Sequence, residues 1–203
     1  MNFSDFSGFV LAGGKSSRMQ SDKAFLEIDG ETFLTRTVKT LQIVCEDRVK
    51  IVLNKTQAGL IEKIPADVSH IFDVYENRGA LGGIHAALSN CATKYAIVLA
   101  VDLPNVSGEA LEKLAEITLS SNKFIAVVPR QTDERTQPLC AVYHARFCLP
   151  ILEDLMETNE SASANDFLEM IYPRTVAQSK LTTNDSKDIF FNVNRPADFE
   201  KIR

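Results

Sequence analysis

An alternating α/β architecture is legible in the spacing of apolar residues along this 203-residue chain. Short β-branched runs recur, helical stripes separate them, and glycines or capping residues stand at the junctions, the pattern of parallel strands joined by crossover helices. The expectation is one domain, 1–203, a three-layer αβα sandwich on a mostly parallel, doubly wound sheet. Residues 8–12 (GFVLA), 49–53 (VKIVL), 68–72, 95–101 (YAIVLAV) and 124–128 (FIAVV) read as buried strands. Leu34, Val38, Leu41 and Cys45 recur at helical spacing after Gly30. Ile84, Ala87, Leu88 and Cys91 do so after Gly82 and Gly83, and Leu111, Leu114, Ala115 and Thr118 follow Ser107, a suitable N-cap. Residues 130–137 are polar and predict an exposed loop, followed by a short run at 138–143. Helices are expected at 150–157, with Pro150 in the first turn, and at 166–171. A last strand is expected at 189–193, with Pro196 opening a terminal helix.

Composition narrows the functional classes. With 45% hydrophobic and 24% charged residues the chain has the make-up of a folded globular protein. Its net charge of −5 argues against holding polymeric nucleic acid or an anionic membrane by charge. Cys45, Cys91, Cys140 and Cys148 stand singly, which favours neither a zinc knuckle nor a disulfide framework. His70, His85 and His144 are scattered. The first seven residues lack the basic start of a signal peptide, and no apolar run reaches the roughly 18 residues of a membrane span. A cytoplasmic protein acting on a small substrate is the expectation.

The richest stretch is 10–26, VLAGGKSSRMQSDKAFL, where a buried strand runs into paired glycines and then basic residues. Such a loop lets backbone N–H groups approach phosphate oxygens, although a plain structural turn has the same composition. Gly14-Lys15-Ser16 imitates the end of a Walker A loop, but the glycine required five positions earlier is Phe9. The dinucleotide pattern GxGxxG fails as well, because Gly13 and Gly14 are adjacent and position 18 is Arg. Lys15, Arg18 and Lys23 against Asp22 give residues 13–23 a charge of +2, while the rest of the chain carries −7. Positive charge is thus concentrated at one glycine-rich loop.

Leu11, Ala12, Gly13, Gly14, Ser16, Arg18, Met19, Asp22 and Lys23 resemble the signature LAGGxSxRMxxDK of the molybdenum cofactor guanylyltransferases of the MobA type. These belong to a wider group of nucleotidyltransferases with a GT-A-like sheet. Gln20 stands where glycine is usual. Further segments are similar: Gly79 to Gly83 to the GPLxG element, with Ala80 for proline, and Asp102-Leu103-Pro104 to CDxP, with Val101 for cysteine. Gln137-Pro138 resembles the family's QP turn, and Asn192-Val193-Asn194 with Pro196 resembles NxNTP, with Arg195 for threonine.

The resemblance implies a Rossmann-like sheet of the nucleotide-diphospho-sugar transferase type. It also implies transfer of GMP from GTP to the terminal phosphate of molybdenum-molybdopterin, with release of pyrophosphate. Arg18, Lys23 and Asp102 would be catalytic, the two cations offsetting charge on the leaving group and Asp102 holding Mg²⁺ as the metal ligand. Nucleotide contacts are implied at Leu11, Ala12, Gly13, Gly14, Lys23, Asn54, Asp73, Gly82 and Asp102. Acceptor contacts are implied at Gln137, Asn192 and Asn194, so 1–105 would mainly bind the nucleotide and 106–203 mainly the pterin. Asp73 is expected to accept hydrogen bonds from guanine N1 and N2. Asp102 as a turn cap, and the Asn-x-Asn pair as a loop brace, are the structural alternatives. Competing functions are a cytidylyltransferase using CTP on the same acceptor and a non-catalytic nucleotide-binding regulator. Molybdenum-insertion enzymes and molybdoenzyme chaperones are the protein partners implied.

Overall fold

The computed structural model describes residues 2–13, 23–75, 77–182, 188–193 and 198. In chain order the elements are β1 (Phe6–Leu11), β2 (Glu27–Ile28), β3 (Glu31–Thr32), α1 (Phe33–Cys45), β4 (Val49–Leu53), β5 (Ser69–Phe72) and α2 (Ala80–Ser89). They continue with β6 (Tyr95–Ala100), α3 (Gly108–Leu119), β7 (Ala126–Arg130), β8 (Cys140–His144), α4 (Ala145–Thr158), α5 (Ala164–Ile171) and β9 (Arg174–Ala177). Seven strands form one sheet in the order β5-β4-β1-β6-β8-β7-β9. Among the described strands of that sheet β8 alone is reversed, pairing antiparallel with both β6 and β7. The mostly parallel sheet expected from the sequence is therefore present.

The sheet is buried on both faces, as parallel sheets require. On β1 a Cβ at Gly8 would touch Leu41 of α1, whereas Leu11, three residues on and so on the opposite face, packs against Gly83 of α2. Helix α1 packs with α3, and α2 with α4. Strands β1 and β6 are buried along their whole length, which explains why they read as continuous apolar runs. Ser107 caps α3 as expected, accepting from the Ala110 N–H at 3.2 Å. Among the described residues no helix is long and apolar enough to cross a membrane.

Several boundaries differ from expectation for identifiable reasons. Helix α4 begins at Ala145, so Pro150 lies inside it rather than in its first turn. Burial of Cys148, Leu152, Leu155 and Met156 on one side outweighs the hydrogen bond that proline removes. The strand expected at 189–193 is absent. Phe191 N–H donates to the Asp188 carbonyl at 3.2 Å and Phe190 N–H to Asp188 Oδ1 at 3.0 Å, folding this segment into a turn. Ile189, Phe190 and Val193 are buried in an irregular strap rather than in a strand. Strand β9 and the β2–β3 hairpin were not expected; the hairpin turns through Asp29 and Gly30, both with positive φ. A 3-10 helix, Lys55–Lys63, follows β4. The terminal helix expected at Pro196 falls outside the described residues.

Candidate active site

Strands β5, β4, β1 and β6 are mutually parallel, so their carboxyl ends form one rim. Open α/β sheets bind ligands along such an edge. Along it stand Asp73 after β5, Asn54 after β4, Ala12 and Gly13 after β1, and Asp102 after β6. Hydrogen bonds beyond the strands hold the edge in register: Asp73 N–H to the Leu53 carbonyl at 2.7 Å, Ala12 N–H to Val52 at 3.0 Å and Val101 N–H to Leu11 at 3.2 Å. Because β8 is reversed, it starts at this edge, and the loop between β7 and β8 brings Gln137 there too, beyond Asp102. Gln137 N–H donates to the Pro129 carbonyl at 2.9 Å. Asp102 thus lies between the segment carrying Asn54 and Asp73 and the segment carrying Gln137. With neighbouring strands about 4.8 Å apart, Asp73 and Asp102 are separated by three spacings, about 14 Å, a span for an extended molecule rather than a lone anion.

Asp102 is the electrostatic centre of this edge. Burial pushes its carboxyl above the ordinary carboxylate range, and Lys23 and a hydrogen bond with the Asn192 side chain pull it partly back. Two residues expected for different halves of the reaction, Lys23 and Asn192, therefore converge on one carboxylate. Asn192 is brought there by the strap, whose Val193 N–H donates to the Asp102 carbonyl at 3.0 Å. Val193 is itself fully buried with Ile28 and Phe33, residues of the hairpin and of α1 that follow Lys23. One small apolar cluster thus joins the segment that follows Lys23 to the strap that carries Asn192.

Asp102 Oδ1 and Asn192 Oδ1 are both buried without a hydrogen-bond partner. Orphaned buried oxygens are costly, and their neighbouring placement suits a hard cation that takes oxygen ligands. No group of three or more His, Cys, Asp or Glu side chains capable of holding a metal occurs among the described residues. Asp102 and Asn192 could hold such an ion only if ligand phosphates and water completed its coordination.

Asp73 sits against the first turn of α2. Its Oδ1 accepts the Tyr75 N–H at 2.8 Å, and a Cβ at Gly82 would lie 2.7 Å from that same oxygen. Glycine at 82 is what lets the carboxylate approach the helix N-terminus, where negative charge is favoured. Burial nevertheless raises its pKa, with the Tyr75 N–H, His85 and Lys55 opposing. Arg78 anchors the same loop by donating to the Met156 carbonyl and to that of Asn159, the latter at 2.8 Å, at the end of α4.

Asn54 caps the 3-10 helix: its Oδ1 accepts from Gln57 N–H at 3.1 Å and from the Thr56 hydroxyl at 2.6 Å. Gln57 was not anticipated as part of the site, although Asn-x-x-Gln is the spacing of a capping box. Leu11 and Ala12 are buried and Gly13 is exposed. The structure thus brings Leu11, Ala12, Gly13, Lys23, Asn54, Asp73, Gly82, Asp102, Gln137 and Asn192 to one edge. Gly14, Arg18 and Asn194 lie outside the described residues.

Comparison with known proteins identifies the family and the fold. Residues 8–176 match the sequence profile of the MobA-like NTP transferase domain. A "Probable molybdenum cofactor guanylyltransferase" of Geobacillus sp. (strain WCH70) is 32% identical over 196 residues, covering 96% of each chain. The "Molybdenum cofactor guanylyltransferase" of Desulfosudis oleivorans is 30% identical over 96% of this chain and 92% of its own. Among solved structures, the molybdopterin-guanine dinucleotide biosynthesis protein A of Archaeoglobus fulgidus superposes with a TM-score of 0.80 at 24% identity, covering 96% of this chain and 95% of that one. The 4-diphosphocytidyl-2C-methyl-D-erythritol synthase of Anaerococcus prevotii shares the fold, with a TM-score of 0.67 at 12% identity and coverage of 98% and 96%. A matched profile over most of the chain, and relatives matched over nearly its whole length, place it: the chain belongs to the MobA-like NTP transferase family.

Proposed function

We propose that this enzyme transfers GMP from GTP to the terminal phosphate of molybdenum-molybdopterin, forming the guanine dinucleotide cofactor and pyrophosphate. The observation that carries the reading is the paired orphaned oxygens of Asp102 and Asn192, set beside Lys23 at the centre of the edge. The names borne by the bacterial relatives supply the acceptor and the base.

An oxygen of the acceptor's phosphate attacks the α-phosphorus of GTP, forming one P–O bond. The bond to the β-phosphate breaks, and its electron pair leaves with pyrophosphate. The nucleophile is already anionic, so the chain needs no general base; it must align the reactants and balance charge. Asp102 and Asn192 would hold Mg²⁺, which when bound neutralises charge on the phosphates. Lys23, with Arg18, offsets the charge growing on the leaving group. Ala12, Gly13 and Gly14 would lie against the phosphates, and Leu11, Asn54, Asp73 and Gly82 would form the seat for the nucleoside. Gln137, Asn192 and Asn194 meet the pterin. Residues 1–105 thus serve mainly the nucleotide and 106–203 mainly the acceptor. The reaction's place is the cytoplasm, with molybdenum-insertion enzymes or molybdoenzyme chaperones as the proteins that supply and receive its substrates and products.

Pyrophosphate release measured with GTP, Mg²⁺ and molybdenum-molybdopterin tests the reading. Release requiring all three is the expected result; nucleotide binding without turnover would make the protein a regulator instead. Calorimetry with GTP and with CTP tests the base, and CTP binding as tight as GTP would turn the reading to a cytidylyltransferase.

A further inference from the structure

We infer that Gln57 is a positioning residue for the nucleotide, acting through Asn54 and the entry to the glycine loop; the inference rests on the reading of this edge as a GTP site. Gln57 is only 6% exposed although it lies in the first turn of a largely exposed 3-10 helix, so its amide is committed inward. Its Nε2 donates to the Ala12 carbonyl at 3.0 Å, forty-five residues back in the chain. Its Oε1 accepts the Asn54 N–H at 3.1 Å, and its own N–H donates to Asn54 Oδ1 at 3.1 Å. A Cβ at Gly13 would lie 3.4 Å from the Asn54 nitrogen and 3.7 Å from Gln57 Oε1, so the loop's first glycine rests directly on this assembly. One side chain therefore links the ends of β1 and β4 at the point where both pass into ligand-facing loops.

The bonding has a chemical consequence for Asn54. A backbone N–H can only donate, so the atom it meets must be the amide oxygen, which fixes the orientation of the side chain. Both lone pairs of Oδ1 are used, by Gln57 N–H and by the Thr56 hydroxyl at 2.6 Å. What Asn54 offers a ligand is its Nδ2, a donor. Beside it Asp73 offers carboxylate acceptors. The edge thus pairs a donor with an acceptor, and Gln57 keeps Asn54 from reversing that order.

The test is calorimetry of Mg²⁺·GTP binding, together with steady-state turnover, for Gln57→Leu, Gln57→Glu, Asn54→Ala and the Gln57→Leu/Asn54→Ala double variant. Gln57→Leu is expected to weaken GTP binding about tenfold, raising KM for GTP while leaving KM for the acceptor unmoved. Gln57→Glu keeps an acceptor for the Asn54 N–H but loses the donor to Ala12, and falls between Leu and the unsubstituted protein. It also carries the test if the Leu variant does not fold. The double variant is expected to bind more tightly than the product of the two single losses predicts, the signature of residues acting as a unit. Binding within twofold of the unsubstituted protein in both Gln57 variants overturns the inference. So do strictly multiplicative losses, or equal rises in KM for both substrates. If the unsubstituted protein binds no GTP, the guanylyltransferase reading fails and takes this inference with it; unsubstituted binding with unchanged variants overturns this inference alone.

Discussion

The two ends of the central strands make opposite use of polar groups. At the amino ends of β1, β4 and β6 they are turned on one another: Ser7 and Thr93 hydroxyls meet at 2.9 Å, Arg48 Nε donates to the Phe6 carbonyl at 3.0 Å, and Lys50 Nζ to that of Asn90 at 3.2 Å. His144 Nδ1 is left over there, but on an imidazole whose charged form burial and Lys94 both disfavour. At the carboxyl ends Asp102 and Asn192 keep buried oxygens unbonded, and Asp102 and Asp73 are carboxylates held against their own desolvation. One sheet therefore has an end whose polar groups complete the fold and an end where the fold leaves buried oxygens unsatisfied. Functional sites commonly forgo stability in this way.

Substitutions can break that contrast, and the largest effect is expected at its centre. Asp102→Ala should reduce Mg²⁺-dependent pyrophosphate release by about a thousandfold, the scale seen when a principal charge stabiliser is lost, with the circular dichroism spectrum unchanged. Next, Gly82→Ala should weaken GTP binding about tenfold, or about 1.4 kcal/mol, because the added methyl displaces the Asp73 carboxylate; titration calorimetry reads it. At the opposite end, Arg48→Ala should cost about 1–3 kcal/mol of stability in urea and leave GTP affinity untouched. A loss of affinity there would erase the distinction between the ends.

A smaller effect has its sign set by burial. The raised pKa of Asp102 means that its folded-state contribution is most favourable below the ordinary value of 3.8 and is lost as pH rises through the folded pKa. Ligand-free Asp102→Asn should therefore melt higher than the unsubstituted protein at pH 7, and the gap should close towards pH 4 and below. Least of all should happen at the core thiols. Burial pushes Cys45, Cys140 and Cys148 up to about 12, so iodoacetamide at pH 8 should leave all three unlabelled in the native protein.

The sheet was legible because buried parallel strands leave unbroken apolar runs; β4 falls on 49–53 as read, and the capping role of Ser107 followed from a local rule. Strand β9 escaped because an edge strand carrying Arg174 and Thr175 has no such run. The strap misled for the converse reason: Ile189, Phe190 and Val193 are buried without belonging to any ladder. Within the site, the positions after each strand could be read from the loop motifs. Their order along the edge could not, since it depends on the reversal of β8. Nor could the meeting of Asn192 with Asp102, which local patterning across ninety residues does not encode. Gln57 lay between, marked by its capping spacing but not by anything that tied it to Ala12.

The hydrogen bond from Val193 to Asp102 also bears on when the site can be completed during synthesis. A domain generally folds as a unit, and the residues of β1, β4, β5 and β6 are all in place by residue 100. The first 102 residues already carry Asp102 and the loop ends that would seat a nucleoside, yet lack the amide oxygen beside that carboxylate. Only when the strap has left the ribosome and closed over the hairpin does the carboxylate gain its companion. Competence to react would therefore arrive late, as a by-product of a contact that joins residue 193 to residue 102.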